Sequence, residues 1–154
     1  MPVGTSRPLG LLLRRVYDVF VAGTYDALAL GRYWDIRPSH GAVFRHLEDG
    51  GSRVSVIAAR AGMTKQSMTY LVEDLAALGY VELAPDPTDG RARLIHLTAK
   101  GQALWTEMIR LNGEVEQRLQ GNLTATEVAM LRDLLTRLVN GLDKKATADR
   151  PMQP

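Results

Sequence analysis

The chain has 154 residues, 45% of them apolar and 23% charged, with a net charge of +2, which fits one compact domain or a small lobed one. It contains no cysteine, and this excludes disulfides, thiolate metal sites and control by thiol oxidation. No internal repeat or low-complexity tract is present, and Arg14, Arg15, Asp18 and Asp26 interrupt the only long apolar stretch, so no signal peptide or membrane span is expected and the chain reads as cytoplasmic.

From Leu9 to Leu30, apolar residues recur at Leu9, Leu12, Leu13, Val16, Phe20, Tyr25 and Leu28, a helical spacing that Gly31 ends. A second helix is expected from about Ser39 to Glu48, behind Pro38 and closed by Gly50 and Gly51. Ser55 is expected to cap the next one. The stretch from Ile57 to Gly79 then reads as a short helix, a glycine turn and a second amphipathic helix with a polar leading end. Gly62 supplies the left-handed backbone that ends the first helix, and Thr64 caps the second. Ala58 is small enough for the two helices to cross closely. Met68, Leu71, Val72, Leu75 and Leu78 form the buried stripe, with Gln66, Tyr70 and Glu73 opposite it and Ser67 and Thr69 on its flanks. This is the pattern of a helix-turn-helix, whose second helix presents its leading turns to base edges and phosphates in the major groove. A solvated helix pair has the same spacing, so the segment behind it carries weight.

That segment runs Tyr80 to Leu83, a polar stretch from Ala84 to Ala92, and Arg93 to Leu97, which reads as a β-hairpin with a long tip. Ile95 and Leu97 alternate against Arg93 and His96, Asp89-Gly90 is the expected turn, and Pro85 and Pro87 are expected to keep the tip unpaired. A hairpin directly behind a recognition helix is a wing. Arg91 and Arg93 lie at its tip, where an arginine can enter a narrow minor groove, and Asp89 is placed to hold the Arg91 guanidinium through a charge-assisted hydrogen bond. The alternative for this pair is a surface ion pair of little energetic consequence.

Thr98 is expected to cap a helix running to about Gln120, with Leu104, Met108, Leu111, Val115 and Leu119 on one stripe. Thr124 and Glu127 form a capping box for a last helix carrying Val128, Leu131, Leu134, Leu135, Leu138 and Leu142. The terminal helices carry more apolar surface than so small a winged helix can cover. A second copy is the simplest partner, giving a two-fold dimer, with an intramolecular helical lobe as the alternative. The expected fold is therefore mainly α with a small β-hairpin wing. A winged helix-turn-helix lobe occupies about residues 53–100 and a helical dimerisation lobe about 9–30 and 98–142, within one domain from 9 to 142 followed by a flexible tail at 143–154.

The segments Thr64 to Thr69, Leu71-Val72, Leu75, Gly79-Tyr80-Val81, Asp86 to Arg91 and Leu97 to Gly101 resemble the MarR family of bacterial transcription regulators. The resemblance spans nearly the whole chain, and the Asp-x-x-Asp-Gly-Arg wing followed by Leu-Thr-x-x-Gly is its most specific part. It implies a homodimeric winged helix on a palindromic operator in double-stranded DNA, acting as a repressor released by a small aromatic or phenolic effector, with no cofactor and no catalytic residue. It further implies that Lys65, Gln66, Ser67, Thr69 and Tyr70 face the major groove and Arg91 the minor groove. Leu83 and Asp74 depart from the family pattern, each standing where a basic residue is frequent. In the family, an effector pocket lies near the start of the second helix. Here that region holds Trp34 to stack on a ligand, Arg37 to pair with a carboxylate and His40 to hydrogen-bond; their ordinary readings are a core tryptophan, a solvated charge and a satisfied histidine.

Between Arg53 and Lys100 there are six Lys or Arg against five acids, so the module is close to neutral and its cations must be clustered to attract phosphate. Rival readings are an enzyme, a metal-responsive regulator and a winged helix used only for protein contact. No nucleophile elbow or phosphate loop is present. His40 and His46, two of the three histidines, are not spaced to share a helix face as metal ligands.

Overall fold

The computed structural model describes residues 7–148. Among these residues it contains six α-helices, two short 3-10 turns and one two-stranded antiparallel sheet. The chain order is α1 (Leu9–Ala29), a 3-10 turn (Pro38–His40), α2 (Gly41–His46), α3 (Val54–Ala61), α4 (Lys65–Ala77), β1 (Val81–Asp86), β2 (Asp89–Leu97), α5 (Ala99–Leu119), a second 3-10 turn (Gln120–Asn122) and α6 (Ala125–Ala148). The residues fall into two compact units, one ending at Val115 and the other beginning at Glu116.

In the first unit, one apolar core gathers Leu28 from α1, Val43 and Phe44 from α2, Ile57 from α3, Met68, Val72 and Leu75 from α4, Ile95 from β2 and Leu104 from α5. Full burial of an aliphatic side chain of this kind contributes about 1.5–3 kcal/mol, so these stripes fix how the helices cross. On α5, Leu104, Met108, Leu111 and Val115 are buried at the expected spacing. The α1 stripe behaves differently. Only Thr24, Tyr25 and Leu28 are buried, while Leu9, Leu12, Leu13 and Val16 are exposed within the single chain.

Two helix starts differ from the sequence reading. The second helix begins as a 3-10 turn at Pro38–His40 and is α-helical only over Gly41–His46. Its N–H-free first residue, Pro38, is tolerated there because the donor would be unpaired anyway. In α3 the cap position belongs to Arg53, whose extended backbone precedes Val54, and no side chain caps it. Ser55 lies inside the first turn, because Ser52 is drawn into a bridge with Ile95 (N···O 3.2 and 3.0 Å) that starts the helix earlier.

In the second unit, helix α6 is led by the expected capping box. Thr124 N donates to Glu127 Oε2 at 2.7 Å, and Glu127 N to Thr124 Oγ1 at 3.3 Å. Helix α6 continues through Ala148, past the end expected at Leu142, and residues 149–154 of the expected tail lie outside the described residues. Its Leu131, Leu134, Leu135, Leu138 and Leu142 are exposed. No helix among the described residues is long and apolar enough to cross a membrane.

Candidate nucleic-acid interface

The turn between α3 and α4 forms as its residues dictate. Gly62 has φ 63°, in the left-handed region, where a side chain would meet the following carbonyl. Gly62 N donates to Ala59 O at 3.3 Å and Met63 N to Ala58 O at 2.9 Å, the paired closure of a Schellman end. Thr64 Oγ1 then accepts from Ser67 N at 3.1 Å and starts α4. Ala58 is buried at the crossing, and Met68, Leu71, Val72 and Leu75 point into the core.

The opposite face of α4 is open. Lys65, Gln66, Thr69, Tyr70 and Glu73 line one shallow depression, and Tyr70 is 63% exposed. The hydroxyls on this face are already engaged. Ser67 Oγ lies 2.8 Å from Thr64 Oγ1, and Thr69 Oγ1 donates to Lys65 O at 2.9 Å. Among the described residues, the heads of Lys65, Gln66 and Tyr70 have no polar partner. Four of the five α4 candidates from the sequence thus line this depression, Ser67 being the exception, and only three of the five offer free hydrogen-bonding heads.

The hairpin pairs further than its prolines implied. Val81 sits opposite Leu97, Leu83 opposite Ile95 and Pro85 opposite Arg93, with an irregularity between Pro85 and Asp86. A two-stranded sheet has only edge strands, so a proline whose N–H side faces solvent fits there. The turn falls at Pro87-Thr88, and Asp89-Gly90 belongs to β2. Asp86 makes this turn. Its buried carboxylate accepts from Thr88 N at 2.8 Å, Thr88 Oγ1 at 2.6 Å and Arg53 Nε at 2.7 Å. The Thr88 hydroxyl and amide, then Arg53, hold its pKa down to about 2.

Asp89 does not hold the Arg91 guanidinium. Its carboxylate accepts from the Arg91 backbone N–H at 3.1 Å and faces Arg53 at 3.4 Å, the same guanidinium that pairs with Asp86. The Arg91 guanidinium is left without a partner among the described residues. Arg93 shares strand parity with Ile95 but lies beyond the edge of the core, exposed, with only a 3.5 Å contact to Leu83 O. Arg53 was therefore missed as the residue that anchors the wing. It stands 33 positions from Asp86, and no local pattern signals that pairing.

At the candidate ligand region, Arg37 and His40 come together on Asp74 of α4. Arg37 pairs directly with the Asp74 carboxylate. The fully buried His40 lies with Nε2 2.9 Å from Asp74 Oδ2, while its Nδ1 accepts from Arg37 N at 3.2 Å. The Nδ1 contact assigns the ring proton to Nε2, which donates to Asp74. The His40 hydrogen bond, then Arg37, holds the Asp74 carboxyl below the usual carboxylate range. Trp34 does not join them; it is 74% exposed, not a core residue. Among the described residues, no group of three or more His, Asp or Glu is placed to hold a metal ion.

A helix-turn-helix backed by a hairpin, with an open polar face on its second helix, makes this a winged helix-turn-helix protein. The family model described as MarR family matches residues 34–92. Over 139 residues the chain is 32% identical to the HTH-type transcriptional repressor NicR of Pseudomonas putida, covering 90% of this chain and 87% of that protein. It is 38% identical over 74 residues to the multiple antibiotic resistance protein MarR of Escherichia coli K12, and there it spans about half of the relative, 51% of its length. Among solved structures, wild-type apo MarR from E. coli superposes with TM-score 0.74 at 26% identity, over 88% of this chain and 98% of that one. Bordetella bronchiseptica BpsR, described as regulated in its DNA binding by 6-hydroxynicotinic acid, does so with TM-score 0.67 at 25% identity, over 90% and 98%. The chain belongs to the MarR family of transcriptional regulators.

Proposed function

We propose that this protein is a cytoplasmic, homodimeric, sequence-specific DNA-binding regulator that acts as a repressor on a two-fold operator. The observation that carries this reading is the set of exposed heads without a partner among the described residues: Lys65, Gln66 and Tyr70 on the open face of α4, and Arg91 on the wing. Of the other Lys and Arg of the module, Arg93 has no acidic partner among the described residues, whereas Arg53 is tied up with Asp86 and Asp89, Arg60 with Glu48, and Lys100 with Asp35 and the Leu78 carbonyl. Positive charge is thereby concentrated where α4 and the wing meet a duplex, with α4 in the major groove and Arg91 in the minor groove.

Support for the dimer comes from the apolar residues left exposed on α1 and, separately, on α6. Runs of this kind on terminal helices mark a surface that a second copy covers. A small aromatic acid is the effector this reading favours, with Arg37 as its contact, since His40 is buried with both ring nitrogens engaged and Trp34 does not join them. An anionic ligand that takes Arg37 from Asp74 alters a contact made directly to the recognition helix.

The test is retardation of the DNA upstream of the protein's own gene, at physiological salt with competitor, and its release by 6-hydroxynicotinate as probe. A specific shift is expected, with Arg37→Ala blunting release. No shift above competitor would remove the DNA reading, and unchanged release from the Arg37 variant would remove the ligand assignment.

A further inference from the structure

Glu73 stands out on the open face of α4. It is exposed, lies one turn beyond Thr69 and Tyr70, and lines the same depression as Lys65 and Gln66. Its neighbour Asp74 is held by Arg37 and His40, but no described residue pairs with Glu73. A bare carboxylate on a face turned toward a polyanion is repelled by phosphate within a Debye length, about 8 Å at physiological ionic strength. It accepts hydrogen bonds and cannot donate them. In the major groove the donors are the exocyclic amines, and the pairing that suits a carboxylate is with cytosine N4.

The set of competing readers is small, because the Ser67 and Thr69 hydroxyls are engaged within the helix. Of the free heads beside Glu73, Lys65 suits guanine O6 and N7, and Gln66 pairs with adenine N6 and N7. Gln66 and Glu73 are two turns apart on the same face, about 10 Å along the axis at 1.5 Å per residue. That distance corresponds to about three base-pair steps of about 3.4 Å.

We infer that Glu73 is a specificity-determining residue, accepting from a cytosine N4 at one position of each half-site, about three base pairs from the adenine read by Gln66. The inference rests on the DNA-binding reading above and adds which bases the helix selects. Its carboxylate also weakens binding to sequences that offer no donor at that position.

Selection from a randomised duplex library with the full-length protein, its Glu73→Gln variant and its Glu73→Ala variant tests this. The wild type should select cytosine at one position per half-site. Glu73→Gln should move that position toward adenine, with roughly tenfold loss of the cytosine preference, and Glu73→Ala should erase it, the other positions keeping their bases in both. If both variants bind all sequences more tightly with the selected motif intact, Glu73 is only a repelling surface charge and the inference falls. If the wild type selects no sequence, the DNA-binding reading fails with it, an outcome distinct from an unchanged motif. The side chain is exposed and unpaired, so both variants should keep the wild-type melting temperature, which is measured alongside.

Discussion

Gly101 sits where the first turn of α5 passes the corner after α4, and a Cβ there would fall 2.0 Å from the Tyr80 carbonyl oxygen. The neighbouring Thr98 ties the same corner down: its hydroxyl donates to Gly79 O at 2.7 Å and accepts from Gly101 N at 3.1 Å. The Leu-Thr-x-x-Gly segment is thus a clamp between α4, β2 and α5. Gly101→Ala must push backbone apart, and a loss of about 1–3 kcal/mol in denaturant unfolding is expected. Asp74 makes a second prediction. Its carboxyl is held low by His40 and Arg37, so the charged form is favoured in the folded state. That contribution is full above the unfolded pKa, about 3.9, and is lost as pH falls through the lower folded value. Asp74→Asn should therefore lower stability near neutrality and flatten this part of its acid dependence, as read by unfolding midpoints across pH. The glycine-and-threonine pattern was legible from the residues alone. The Asp74 contacts were not, because Arg37 and His40 lie 37 and 34 positions away.

Helix α4 and the wing are each held by one residue outside their own span. Thr64 caps α4 through Ser67 N, and Thr64→Ala should cost about 0.5–2 kcal/mol, measurable by thermal unfolding. Arg53, at the head of α3, bonds Asp86 and faces Asp89 at the two sides of the hairpin turn. Arg53→Ala should leave the helices folded while the Thr88 and Arg91 amides lose protection from hydrogen exchange, since a turn freed from its anchor opens locally. Equal loss of protection in α4 would show that Arg53 supports the whole lobe instead. The existence of both elements was readable from their spacing and turn residues. The turn position was not, because Asp86 draws it to Pro87-Thr88 through bonds to Thr88 and Arg53, although Asp89-Gly90 is the stronger turn dipeptide.

For the whole molecule, near neutrality of the module conceals how unevenly its charges are used. Within 53–100, Lys65, Arg91 and Arg93 remain without an acidic partner among the described residues. If these three meet phosphate in each protomer of a dimer, the logarithm of operator affinity should fall against the logarithm of salt with a slope of about −5. A slope near zero would show that these cations do not reach the backbone. The dimer has its own measurement: light scattering at micromolar concentration should give twice the chain mass, and a monomer would leave the exposed leucines of α1 and α6 unexplained.

Periodicity, caps and turn residues set six helices and a hairpin in order, because those signals act between residues a few positions apart and need no distant partner. Tertiary structure decided which polar groups stay free. Arg53, Asp74, Ser67 and Thr69 look as available in the sequence as Lys65, Gln66 and Arg91, yet they are engaged. For Arg53 and Asp74 the partners arrive only when buried apolar stripes bring remote segments together, and side-chain spacing does not encode that meeting.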